Sequence, residues 1–193
     1  MEKALVYCVN DSKIRRKTEV QTVDSDKQQI EDDIAQLLDD MKSLMLATVH
    51  QDKTPLASYT PFAIADNESG LWILVSDLAG HAQNLSLSGL CSCLLIRDEQ
   101  DSAQVYVRER LQYEMKSVEY PRDHPHWESG IKALRSRQGT LVETLTSLAD
   151  FRLFLLVPQS GRYVVGFGKA YELKANSLFL IDYHLQGPTG PQK

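Results

Sequence analysis

Beyond residue 42 the apolar side chains recur at every second position or in short unbroken runs, and each stretch ends in a cluster of Gly, Asn, Asp or Pro. An extended chain turns successive side chains to opposite faces, so a period of two marks strands with one face in a core. Residues 44–50, 55–65, 71–76 and 90–97 read this way. Residues 51–54 form the first hairpin turn and 66–70 the next. Residues 104–118 predict a long strand, with Val105, Val107, Leu111, Tyr113 and Met115 alternating with polar neighbours. Residues 151–157 and 162–173 predict a last hairpin around Pro158-Gln-Ser-Gly161. Strands so closely spaced, without a helix between each pair, imply a mainly β (α+β) fold with an antiparallel sheet closed toward a barrel or sandwich.

Helices flank this pattern. Ile30, Ile34, Leu37, Leu38 and Met41 fall on one stripe of a 3.6-residue period, which predicts a helix over 25–42, with Ser25 and Gln28 spaced as a capping box. A short helix is expected at 79–87, and a second helical region over 125–149, kinked at Gly139. Residues 1–24 alternate poorly and are charge-rich, so they read as a loosely attached extension to a domain over 25–186. Residues 187–193, with two prolines and two glycines, read as a loop.

A chain of 193 residues is long enough for one domain with a substantial core. The net charge of −5 offers nothing to nucleic acid or an anionic membrane. There is no apolar run near the roughly 20 residues that span a bilayer. The N-terminal apolar patch precedes its basic residues, the reverse of a secretory signal, and the expected location is cytoplasmic. Cys8, Cys91 and Cys93 are an odd set. A lone C-x-C makes a poor metal site, and buried free thiols are the expectation.

Several residues could carry chemistry. Arg108 and Arg110, on one strand face about 7 Å apart, would suit a bis-carboxylate or a phosphate; the plain alternative pairs them with Asp98 or Glu99. Asp150 ends a helix, where its charge opposes the macrodipole. Gly166 and Gly168 leave a strand surface bare for another backbone or a flat ligand, although a bulge would look the same. His124-Pro-His126 is read as a loop before a helix, and His50 as solvated at a turn.

Three stretches carry a family resemblance. Met45-Leu-Ala-Thr-Val-His50 with Pro55-Leu-Ala-Ser-Tyr-Thr-Pro61 resembles the opening hairpin of the pyridoxamine-phosphate-oxidase-like split barrels, the FMN-binding fold. Leu74-Val-Ser-Asp-Leu-Ala-Gly-His-Ala-Gln-Asn-Leu85 resembles the next strand and helix in the haem-utilisation and haem-degrading branch. Leu148-Ala-Asp-Phe-Arg-Leu-Phe154, with Gly161-Arg-Tyr-Val-Val-Gly-Phe-Gly-Lys-Ala-Tyr171, is similar to the same branch.

The resemblance implies a homodimer with haem near the interface, acted on by O2 and an external electron donor so that the ring opens and iron is freed. It implies that Asp150 orients the ligating histidine of the neighbouring subunit, that Arg110 faces the haem propionates, and that His81 matches a family histidine on the short helix. The family's tail places its ligand histidine a few residues past a His-Leu pair. Here His184-Leu185 is followed by Gln-Gly-Pro188-Thr189. That leaves His184 as a displaced axial ligand or as a packed strand-end histidine. Two other readings stay open: an FMN-dependent oxidoreductase with Thr48, Ser76 and Arg110 near the phosphate, and a tetrapyrrole carrier without catalysis. There is no Arg or Lys between Lys53 and Arg97 to hold a flavin phosphate.

Overall fold

A computed structural model describes residues 11–66 and 69–185, with side chains from Ser25 onward except that of His184. The tail at 187–193 and Cys8 lie outside the described residues. The expected N-terminal boundary moves. Helix α1 spans Asp11–Asp40, so the Ser25–Gln28 pair lies inside a helix instead of capping one, and residues 11–24 are continuous with it. The apolar stripe docks as its period requires: Ile34, Leu37 and Leu38 are fully buried, and Ile30 and Met41 pack beside them.

Among the described residues nine strands form one antiparallel sheet. They are β1 (Ser43–Val49), β2 (Pro55–Pro61), β3 (Ala63–Ile64), β4 (Leu71–Ser76), β5 (Leu90–Ile96), β6 (Arg110–Tyr120), β7 (Phe151–Gly166), β8 (Lys169–Leu173) and β9 (Ile181–Leu185). Their order is β2-β1-β5-β6-β7-β4-β3, with β8 on β7 and β9 on β8. Inward residues of seven strands (Leu46, Ile73, Leu95, Tyr113, Phe154, Leu173 and Ile181 among them) meet in one core with the end of α1, so the sheet wraps on itself. A second apolar layer around Trp72, Leu153 and Leu155 packs under helices α3 (Trp127–Gln138) and α4 (Leu141–Ser147). Helix α2 (Gly80–Ser88) links β4 to β5.

Four expectations are corrected. The strand expected over 55–65 breaks at Phe62, and Ala63–Ile64 pairs with β4 instead. Gly139, at φ 87°, ends α3 and separates two helices rather than kinking one. Residues 105–107 form a 3₁₀ turn, begun where the Gln104 side chain accepts from the Tyr106 N–H, so the strand starts at Arg110. Pro158 to Gly161 is no turn. It lies inside the 16-residue β7, where Glu114 pairs with Ser160 and Met115 with Pro158, leaving Gln159 as a bulge. Proline and glycine mark bulges as readily as turns, because both weaken the ladder.

Candidate functional site

Strand β7 carries a different candidate at each end. At its start, Asp150 follows α4 and precedes Phe151, which pairs with Ser76 of β4. Ser76 Oγ donates to Asp150 Oδ2 at 2.6 Å, and the Asp77 N–H donates to the Asp150 carbonyl at 2.8 Å. From the other side Arg122 donates to the carbonyls of Thr146, Leu148 and Phe151 while its guanidinium lies over the Trp127 ring, 4.9 Å from the centroid. The nearby Arg152 is turned elsewhere, to Glu119 and to Asp77, and covers Phe154. The Asp150 carboxylate therefore makes no ion pair among the described residues.

At the far end Arg110 opens β6 and pairs with Val164. The intervening acid, Glu109, is already taken: Arg97 Nε reaches it at 2.7 Å and the Tyr163 hydroxyl donates to it at 2.5 Å. That bond, after burial, pushes the Tyr163 hydroxyl pKa well up. Arg110, half-buried, donates to the Arg108 carbonyl at 3.1 Å and forms no ion pair among the described residues. Arg108 is different. It precedes the strand, pairs with Glu99 at 3.1 Å and donates to the Arg97 carbonyl. The two arginines therefore do not share a strand face, and the Glu99 alternative holds for Arg108.

The glycines follow the plain alternative too. Val165 is unpaired in a bulge, and Phe167-Gly168 is the two-residue turn into β8, with Gly168 at φ 67°. Beside this turn Phe167 is 81% exposed and Tyr106 85%. Residue Tyr171 of β8 pairs with His184 of β9, which places the His184 backbone in an edge strand; its side chain is outside the description.

On the short helix, His81 is half-buried, and burial holds its pKa below the ordinary value of 6.5. His50 is half-buried rather than solvated, its ring packed on the start of α2 near Gly80. Thr48 is 2% exposed and accepts from Asn84 at 2.9 Å. His124 Nδ1 accepts from the His126 N–H, and Tyr120 stands edge-on to both rings. Cys93 is a buried free thiol 3.6 Å from the Met115 sulfur, and Cys91 is half-buried.

The outer face of β1, β2 and β5 exposes Met45, Val49, Tyr59 and Leu90. They adjoin an apolar cleft of about 470 Å3 lined by Ala47, Cys91 and Met115 among others. In β1, Met45, Ala47 and Val49 stand on the face opposite the core. Sequence reasoning missed Ser76 as the partner of Asp150, and missed Arg122. The only signal for either was a hydroxyl ending an apolar strand and an arginine after one.

The wrapped antiparallel sheet with flanking helices is that of the pyridoxamine-phosphate-oxidase-like split barrels. A pyridoxinephosphate-oxidase-family protein of Clostridium acetobutylicum, related to general stress protein 26, superposes with a TM-score of 0.55 at 11% identity over 76% of this chain and 94% of that one. No family model matches the chain. Heme oxygenase HutZ of Vibrio cholerae is 35% identical over 158 residues, which is 81% of this chain and 88% of HutZ. The crystal structure of HutZ, described there as a heme storage protein, superposes with a TM-score of 0.67 at 33% identity, over 72% of this chain and 97% of that one. Campylobacter jejuni ChuZ gives 0.73 at 23% identity, over 86% of this chain and 66% of that one. The chain belongs to the HutZ-like, haem-utilisation branch of the split-barrel family.

Proposed function

We propose that two copies of this chain bind haem between them and that the chain degrades it, as a cytoplasmic oxidoreductase served by an external electron donor. One observation carries the two-copy site. Arg110 and Asp150 stand at opposite ends of β7, separated by roughly 40 Å of strand at about 3.3 Å per residue. Within one copy they stand at opposite ends of the same strand; a second copy, docked on the apolar face of β1, β2 and β5, can supply the missing half. Among the described residues no helix is long and apolar enough to cross a membrane.

The donor set suits haem. A planar ring with two carboxylates needs a cation, a nitrogen ligand for iron, and an acceptor that orients that ligand. Arg110, without an ion pair among the described residues, is the cation, and Arg108 supports it through its carbonyl. Asp150 of one copy accepts the N–H of the ligating imidazole of the other, and His184, the histidine nearest the C-terminal tail, is the ligand. His81 flanks the site on α2, and the Gly166–Gly168 turn leaves the Arg110 end uncrowded. Bound haem supplies the iron at which O2 is reduced and the ring opened. HutZ, the relative at 35% identity, is named a heme oxygenase.

Two other readings are separable. Carriage without catalysis would match the storage role given to HutZ in its crystal structure. A flavin phosphate at Thr48 and Ser76 would meet a buried hydroxyl and a serine already bonded to a carboxylate. Titration of the purified chain with haemin, and separately with FMN, distinguishes them by absorption. A sharp Soret band saturating in proportion to subunits is expected, with no FMN shift. Loss of the band on adding ascorbate and O2 means degradation, and persistence means carriage. His184→Ala abolishes the sharp band if it ligates iron; an unchanged spectrum sinks that role. A monomer on a sizing column, indifferent to haemin, overturns the proposal.

A further inference from the structure

Ser76 is the one described side chain bonded to the Asp150 carboxylate, and its hydroxyl is itself directed. The Leu78 N–H donates to Ser76 Oγ at 3.1 Å, occupying an acceptor lobe. The hydroxyl proton is left for Asp150 Oδ2, 2.6 Å away, a length typical of hydroxyl bonds to charged carboxylates. The ladder does not need this bond, because Ser76 pairs with Phe151 through main-chain groups alone. Both nearby cations are committed elsewhere: Arg152 to Glu119 and Asp77, Arg122 to three carbonyls. The main chain of Asp150 is held separately by the Asp77 N–H. Nothing else in the described structure fixes the rotation of this carboxylate or draws off its charge.

We infer that Ser76 is a positioning residue for Asp150: its hydroxyl holds Oδ2, fixes the plane of the carboxylate and leaves Oδ1 as the oxygen that accepts a donor from the second copy. The inference rests on the proposed haem site. Removing the hydroxyl leaves the carboxylate free to rotate, so the bond it accepts from an iron ligand is longer and less often made. That ligand then becomes less electron-rich, and the bound iron easier to reduce.

The test uses the full chain loaded with haemin and reads the reduction midpoint of the bound haem, which reports on this bond whether or not the ring is degraded. Ser76→Ala should bind haemin and move the midpoint to more positive potential, and Ser76→Thr should restore it. Asp150→Asn should move it to more positive potential, and Ser76→Ala added to Asp150→Asn should change nothing further. If the ring is degraded, the rate of Soret loss should fall about tenfold in Ser76→Ala, the size of effect outer residues have at metal sites. An unchanged midpoint in Ser76→Ala, or an equal shift with and without Asp150, overturns the role of Ser76 while leaving the haem site standing. Absence of a Soret band from the unaltered chain removes both. Should Ser76→Ala fail to fold, Ser76→Cys, of similar size with a poorer donor, gives the same comparison.

Discussion

The two ends of β7 are built on opposite plans. Around Asp150 nearly every group is answered: a serine on the carboxylate, an amide on the carbonyl, and an arginine laced across three carbonyls of the turn that leads into the strand. Around Arg110 the pairing stops short. Its neighbour Glu109 is spent on Arg97 and Tyr163, its neighbour Arg108 on Glu99, while Phe167 of the β7–β8 turn and Tyr106 of the 3₁₀ turn are exposed to solvent. Removing a partner from a buried polar group costs more than the bond contributed, so proteins satisfy such groups internally when they can. A half-buried guanidinium without a carboxylate, beside exposed aromatic rings, therefore reads as a surface that something else completes. In the proposed site the Asp150 end is the finished one, with one carboxylate oxygen held by Ser76, and the Arg110 end is the receptor.

The sharpest way to break this comparison is to remove each arginine at the receptor end. A charged hydrogen-bonded contact to a carboxylate contributes about 1.5–3 kcal/mol, so Arg110→Ala should weaken haemin binding roughly 10- to 100-fold. Arg108→Ala, which deletes a partly exposed ion pair with Glu99, should leave affinity nearly unchanged. Fluorescence quenching by haemin gives both constants. Equal losses would mean that the two arginines act as one patch, and the distinction drawn from their partners would be void.

The finished end should fail differently. Arg122→Ala removes three bonds to carbonyls and the contact with Trp127, all near the surface, and should lower unfolding stability by about 1 kcal/mol. The urea midpoint measures this, and hydrogen exchange should quicken at residues 146–151 before it does elsewhere. A variant as stable as the unaltered chain, with protection unchanged there, would show that the Asp150 turn holds itself.

How much of this was legible beforehand depended on which physical signal each element carried. The stripe Ile34, Leu37 and Leu38 is a direct print of a core-facing surface and was read correctly; a strand was read over 44–50, and the structure turns its Leu44, Leu46 and Thr48 inward against Met45, Ala47 and Val49 outward. Punctuation misled where two structures share one signature. Pro158 and Gly161 stand at a bulge that lets β7 run 16 residues, pairing with β4 and then β8 along one edge while β6 follows the other. A hairpin turn would use the same residues. Helix α1 was entered 14 residues late because residues 11–24 carry few apolar positions from which to read a period. The site was legible by residue type and illegible by partner. That Arg108 pairs with Glu99 while Arg110 makes no ion pair among the described residues depends on a 3₁₀ turn seeded by one glutamine side chain, and the Ser76–Asp150 bond joins residues 74 positions apart.

The smallest expected effect is a pH dependence at the finished end, on α2 just beyond Asp77. Burial lowers the folded-state pKa of His81 below the ordinary 6.5, because a half-buried ring loses more solvation when charged than when neutral. Between the folded value and 6.5 the unfolded chain binds the proton more often than the folded one, so stability there rises with pH. The contribution is fully present above 6.5 and is lost as pH falls through the window beneath it. Urea midpoints should therefore decline on acidification below about 6.5, and the His81→Gln variant should show a shallower decline over the same interval, since glutamine does not titrate. If its decline matches that of the unaltered chain, some other group carries the acid sensitivity of this end. If the midpoint of the unaltered chain instead rises on acidification, the ring is charged and paired in the folded protein, and the Asp150 end presents a cation as well as a carboxylate.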